Sequence, residues 1–166
     1  MNPTKWLNIG LFETVLFQPK DTLLNRGYEL EYLNPVIFYR PQEYALGSSD
    51  NVIMGLGFSV KRKKQQLYGQ IVMDEFIMKE FTSNRGWWGN KYGFQAGLKG
   101  RFSIGKWNYF YRTEINIVRP YTYAHRGSGQ NYGNQGLALA HPYGANFKEV
   151  LAEFKFQKDN ILIKAF

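Results

Sequence analysis

The sequence predicts an all-β protein: an antiparallel up-and-down β-barrel of the outer-membrane type, present as a partial barrel of about six to seven strands. Three observations predict it. Apolar and polar residues alternate with a period of two, which is typical of strands with two different faces. Several alternating stretches are longer than the roughly 5–6 residues usual in soluble proteins. Long and short connections alternate along the chain, as in outer-membrane barrels.

The first three strands are predicted at 5–17, 52–60 and 67–76. In the first, aliphatic side chains fill every second position except at Glu13, where a bulge would turn the carboxylate away from the apolar face. The second alternates large apolar residues with glycine and serine. The third shows a weaker pattern and carries Tyr68 on its polar face.

The remaining strands are predicted at 92–104, 107–118 and 149–156, and a seventh begins at 161–166. Their alternation defines two sets of residues. The set predicted to face lipid is Phe94, Leu98, Phe102, Tyr109, Ile115 and Phe154. The polar set predicted to face the lumen is Gln95, Lys99, Arg101, Arg112 and Glu114.

The connections between these strands alternate in length. The long ones are 19–51, 77–90 and 119–147, and the short ones are 61–66, 105–106 and 157–160. Alternate connections of an up-and-down sheet share one end. We therefore expect the long loops together at one end and the short turns at the other.

The number of strands is too small for a complete barrel. Bacterial outer-membrane barrels have an even number of strands from about 8 upward, and an open sheet edge is not tolerated in lipid. We therefore expect residues 1–166 to form one segment of a larger barrel, without an internal domain boundary. The N-terminus lacks a signal-peptide pattern, which fits that expectation.

Net charge narrows the choice of partners. The chain has 21 Lys+Arg against 13 Asp+Glu, a formal charge of +8, which favours an anionic partner such as lipid phosphate, acidic polysaccharide or nucleic acid. The basic run 61–64 lies in a short turn, where it would meet lipid headgroups, so no nucleic acid partner is predicted.

No arrangement typical of catalysis or of a metal or cofactor site is present. The chain has no cysteine. His125 and His141 share one long loop without an HExxH motif. Asp74 and Glu75 are adjacent in a strand and point to opposite faces, which makes them a poor acid–base pair. The chain is therefore predicted to be non-enzymatic, with no metal and no cofactor.

Aromatic residues in the long loops are the candidate binding residues. Trp88, Tyr121 and Tyr123 lie near strand ends, where amphipathic rings also anchor a barrel at the membrane interface. The alternative is a stacking platform for sugar rings, with His125 beside it. The glycine- and amide-rich stretch 127–136 suits glycan hydroxyls, because each amide both donates and accepts.

Several motifs together carry a family resemblance. They are Leu33–Pro41, Gly47–Asn51, Asp74–Phe76, Trp87–Lys91, Arg119–His125 and Ala140–Phe147. These motifs resemble a segment of the Wzi-like capsule-assembly and gliding-motility outer-membrane proteins of Bacteroidetes, most closely the RemB-like gliding branch. The resemblance implies a β-barrel in the bacterial outer membrane, with other outer-membrane or motility and secretion subunits as partners. It supplies no catalytic residues, and the chain has fewer strands than the family's barrel.

The function predicted is that of a non-enzymatic outer-membrane component at the cell surface, in polysaccharide (capsule) assembly or attachment or in gliding motility. Its expected partners are outer-membrane lipid, surface polysaccharide and other subunits. The alternative is a soluble β-barrel or sandwich that binds a small ligand or glycan, with its apolar faces inward. Periodicity does not separate these two orientations, whereas strand length and loop asymmetry favour the membrane.

Overall fold

The computed structural model describes residues 4–17, 27, 30–33, 50–74, 90–125, 128–159 and 161–166. They form an all-β structure built on one seven-stranded antiparallel sheet, ordered β1-β2-β3-β4-β5-β8-β9. The strands of this sheet are β1 Leu7–Leu16, β2 Asn51–Arg62, β3 Gln65–Asp74, β4 Tyr92–Ile104, β5 Trp107–Val118, β8 Phe147–Lys158 and β9 Ile161–Ala165. A small hairpin, β6 Gly133–Asn134 and β7 Leu137–Ala138, lies between β5 and β8. Two 3-10 turns cover Leu30–Leu33 and Ser128–Gln130.

The positions of the seven main strands confirm the sequence prediction to within about two residues at each end. Two details differ. The hairpin inside the connection 119–147 was not predicted. The bulge that would re-aim Glu13 is also absent, because β1 and β2 pair without interruption from Leu7–Val60 to Leu16–Asn51. Glu13 therefore stays on the same face as Leu11, half-buried opposite Met54.

The strand register places the ends of the long connections together at one end of the strands. This row of strand ends is here called the long-connection edge, as distinct from the outer strands of the sheet. Leu16 pairs with Asn51, and Ile53 pairs with Asp74. At the same edge Gly93 pairs with Val118. The tight turns at 63–64 and 105–106, together with Asp159 after β8, lie at the opposite ends of the strands, here called the turn edge. Much of the connections 19–51 and 77–90 lies outside the described residues, so their paths stay predictions.

The sheet has one apolar and one polar face. The predicted lipid-facing residues share the apolar face by register. Five of them are 38–46% exposed: Phe94, Leu98, Phe102, Ile115 and Phe154. Tyr109 is half-buried and stacks on Phe102, with ring centroids 4.9 Å apart. The apolar face is thus open to its surroundings over the middle of the sheet.

The buried core lies at the long-connection edge. Ile53, Val72 and Val118 are buried there on the polar face. Buried polar residues surround them: Asp50, Asn51, Asp74, Asn90, Lys91, Thr122 and Gln130. The basic turn residues at the opposite edge are exposed. Burial differs between the two ends of the strands because the connection after β5 packs over the long-connection edge.

The outer strands of the sheet are open edges. Within the described part of the chain, β1 pairs with β2 alone and β9 with β8 alone, so these strands do not close into a barrel. None of the described helices has the length and apolarity needed to cross a membrane.

Candidate functional site

The polar face carries a hydrogen-bonded network centred on Glu114, which is 5% exposed. Its Oε2 accepts from Tyr68 Oη at 2.5 Å and from Arg112 Nη2 at 3.1 Å. Its Oε1 accepts from Gln95 Nε2 at 3.1 Å and from Asn116 Nδ2 at 2.9 Å. Four donors from three strands therefore stabilise this buried carboxylate, as a buried charge requires.

The other predicted lumen-facing residues extend this network toward the turn edge. Lys99 Nζ lies 5.4 Å from the centroid of the Tyr68 ring, a cation–π distance. Arg101 is on the same face but exposed beside the short turn. The structure thus gathers Gln95, Lys99, Arg112 and Glu114 around Tyr68 and leaves Arg101 outside. That this face lines a lumen stays a prediction.

A second carboxylate, Glu149, joins the network to the connection between β5 and β8. Its Oε2 accepts from Asn116 Nδ2 at 2.8 Å and lies 3.4 Å from His141 Nε2. His141 Nδ1 accepts from the backbone N–H of Tyr143 at 3.2 Å, and its Nε2 faces Glu149. The His141 ring also packs on Phe147, with centroids 4.4 Å apart. His141 therefore ties the connection to the polar face.

A cavity of about 360 Å³ lies between the polar face and this connection. One wall is a row of three amides at directly paired positions of adjacent strands: Gln70, Gln95 and Asn116. The connection supplies the opposite wall: Tyr123, Tyr132, Leu139, Ala140, His141 and Pro142. Cavities of about 300–1,000 Å³ are typical of small-molecule sites, so this one is large enough for a small ligand.

Side chains from three strand ends hold the connection over the polar face. The bonds are Tyr123 N to Asp74 Oδ2 (2.7 Å), Lys91 Nζ to Ala124 O (2.7 Å) and Asn51 Nδ2 to Gln130 O (3.0 Å). Tyr121 and Tyr123 both have positive φ, 64° and 73°. This conformation is uncommon for bulky residues, and here it turns the chain inward after β5.

Tyr123 is the aromatic residue that enters the site. Its hydroxyl lies 3.1 Å from where a Cβ on Gly93 would stand, so the absence of a side chain there makes room for it. Its ring lies 6.0 Å from that of Tyr132. Burial, followed by the nearby Asp74 and Tyr132, raises the pKa of Tyr123 above its ordinary value of 10.0.

The four predicted glycan-binding residues do not form one exposed platform. Tyr121 is 62% exposed on the outside of the connection, whereas Tyr123 lines the cavity. His125 donates its backbone N–H to Asn131 Oδ1 at 2.7 Å and is half-buried. Trp88 lies outside the described residues.

Of the residues at the cavity, Gln95 was predicted as lumen-facing, whereas Gln70, Asn116, Tyr132 and His141 were not predicted as site residues. The signal for the row was present in part, because Gln70, Gln95 and Asn116 all occupy polar positions of the alternation. Placing them side by side requires the register of β3 on β4, which the alternation does not give. In the described residues, no group of three or more His, Cys, Asp or Glu side chains is arranged to hold a metal ion.

Comparison with known proteins returns no match to a family model, to a curated protein or to a solved structure.

Proposed function

We propose that this chain forms part of the wall of an outer-membrane β-barrel and acts there without catalysis, in surface polysaccharide assembly or attachment or in gliding motility. One observation carries the proposal. The sheet exposes aromatic and aliphatic side chains on one face and keeps a hydrogen-bonded network around Glu114 on the other. A barrel in lipid needs this distribution, with apolar residues outward and polar residues inward.

The strand dimensions support the same proposal. The strands β1 to β5 and β8 have 10 to 13 residues each, which reaches the roughly 9–11 residues of a membrane-spanning strand. In lipid the open edges of β1 and β9 must be paired with further strands, because unpaired backbone groups are too costly there.

The soluble alternative requires the opposite distribution. It would bury the apolar face and expose the charged one, yet Val150 on the apolar face is 79% exposed while Asn116 on the polar face is 3% exposed. These exposures favour the membrane protein.

Two features support a role with surface glycans. The cavity combines tyrosine rings with an amide row, and both groups suit sugars, through C–H packing and through hydroxyl hydrogen bonds. The motif resemblance to the Wzi-like and RemB-like proteins points to the same setting and adds the bacterial outer membrane as the location and motility or secretion subunits as partners.

The membrane proposal is tested by purifying the full chain with and without detergent and by flotation with lipid vesicles. We expect a homogeneous β-rich species only in detergent, as an assembly in which the edges of β1 and β9 are paired, and co-flotation with vesicles that resists alkaline and high-salt washing. A monodisperse, β-rich protein in detergent-free buffer that stays at the bottom of the gradient would refute the membrane proposal.

A further inference from the structure

We propose that the cavity between the amide row and the connection 119–146 binds one uncharged sugar ring, and that it discriminates against acidic sugars. This inference rests on the proposed role with surface glycans and specifies which sugar class the cavity takes. It differs from what the overall charge of +8 indicates, which is an acidic polysaccharide.

The amide row offers hydrogen-bond acceptors to a ligand. Gln95 Nε2 donates to Glu114, and Asn116 Nδ2 donates to Glu114 and Glu149. These bonds fix both amides with their donors turned to carboxylates. The carbonyl oxygens of the two amides accept no hydrogen bond from the described residues, so they remain for hydroxyl donors.

Gln70 completes the row and is exposed at the cavity wall. Its side chain hydrogen-bonds no other residue in the described part of the chain, so both its donor and its acceptor are open to a ligand. Its cross-strand neighbour on β2 is Gly57, which adds no side chain above the row. Three adjacent amides therefore match the closely spaced hydroxyls of a sugar ring.

The opposite wall provides the apolar contact that a sugar needs. Tyr123 and Tyr132 line the cavity with their rings inclined by 31° and 6.0 Å apart. The faces of aromatic rings are electron-rich, so they pack well against the C–H groups on one face of a pyranose. Amides on one side and rings on the other give the two-sided environment typical of a sugar site.

Local charge explains the discrimination. The carboxylates of Glu114, Glu149 and Asp74 accept hydrogen bonds from two residues that line the cavity, Asn116 and Tyr123. Among the described residues, no Lys or Arg lines the cavity. Two nearby cations have partners: Arg112 bonds Glu114, and Lys91 bonds the carbonyl of Ala124. A sugar carboxylate would meet like charge in a partly desolvated place. Several of the exposed cations lie at the turn edge: Lys61, Arg62, Lys63, Lys64, Arg101 and Lys106.

The test uses the full chain folded in detergent and three probes: methyl glucoside, methyl N-acetylglucosaminide and methyl glucuronide. Binding is measured by saturation-transfer NMR and calorimetry at low and high salt. We expect at least one of the two neutral glycosides to bind, without salt dependence, and the glucuronide to bind at least about tenfold more weakly.

The key variant is Gln70→Leu, with Gln66→Leu as its matched control. Gln66 is the same residue type on the same strand and face, but it lies outside the cavity. We expect Gln70→Leu to weaken binding of the neutral glycoside about five- to tenfold, the equivalent of about one lost hydrogen bond, and Gln66→Leu to leave it unchanged. Tyr132→Ala should also weaken it.

Three outcomes would overturn the inference: equal losses in the two glutamine variants, no binding of either neutral glycoside, or salt-sensitive binding of the glucuronide alone. The last would leave a glycan role intact but place it away from the cavity, for example at the exposed Tyr121. Vesicle flotation of the same preparation reports on the membrane proposal independently.

Discussion

The Tyr68 hydroxyl reaches the Glu114 carboxylate across an intervening strand. The two residues are 46 positions apart in sequence, and their oxygens lie 2.5 Å apart. Gly97 of β4 stands between them, paired with Tyr68 on one side and with Glu114 on the other. The missing side chain at Gly97 lets the tyrosine ring lie flat over the sheet, because a Cβ there would stand 2.4 Å from Tyr68 Cζ.

This relationship predicts that Gly97→Ala destabilises the fold. The ring must move and its bond to a buried carboxylate breaks, at a cost of about 1–3 kcal/mol. The measurement is the free energy of unfolding of the detergent-folded protein in urea. Gly57→Ala is the matched control, because a Cβ there approaches no atom closer than 3.9 Å. Equal effects of the two substitutions would show that the Gly97 site is not special.

The proposed orientation of the sheet in lipid predicts unequal sensitivity to substitution at two adjacent residues of β4. Leu98 lies on the apolar face and is 39% exposed, and Lys99 lies on the polar face. Leu98→Arg should destabilise the vesicle-folded protein by about 2–4 kcal/mol if it lies near the bilayer midplane. Lys99→Gln should matter much less. Reversed costs, measured by urea titration in vesicles, would favour the soluble alternative.

The Tyr123 hydroxyl predicts a loss of stability at alkaline pH. The pKa of Tyr123 is raised in the folded state by burial and by Asp74 and Tyr132. The unfolded state therefore loses this proton first. The contribution of the Tyr123 hydroxyl to the free energy of unfolding is fully present below the ordinary pKa of 10.0. It is lost as the pH rises through the pKa of the folded state.

Tyr123→Phe should therefore flatten the decline in stability above about pH 10, measured by chemical unfolding at a series of pH values alongside tyrosinate absorbance. Tyr121→Phe serves as the control, because Tyr121 is 62% exposed. If the stability of Tyr123→Phe declined above about pH 10 as steeply as that of the unsubstituted protein, Tyr123 would not be the source of the alkaline loss.

We also expect Tyr121, which is 62% exposed, and Trp88, which lies outside the described residues, to make a separate, salt-sensitive contact with acidic surface polysaccharide. Tyr121→Ala and Trp88→Ala should lower retention of acidic glycan on cells or arrays without altering folding. Added salt should weaken the same binding through screening. Normal retention by both well-folded variants would leave interfacial anchoring as the better explanation for these rings.

The sequence by itself determined where the strands lie. Side chains alternate with period two in any strand, so 92–104 and 107–118 could be located, and their faces sorted, without knowledge of their neighbours. The lengths of the connections are likewise a property of the chain, and with antiparallel pairing they fixed which strand ends share an edge.

Tertiary structure decided which face is open and which side chains meet. The alternation is symmetric between its two faces, so it did not show that Glu114 is buried and Leu98 exposed. The row of Gln70, Gln95 and Asn116 depends on the register of three strands, because a shift of one residue would turn each strand's amide to the other face. The inward turn at Tyr123 depends on a positive φ held by Asp74 from another strand. Contacts between distant residues of this kind are set by pairing and packing, which leave no period in the sequence.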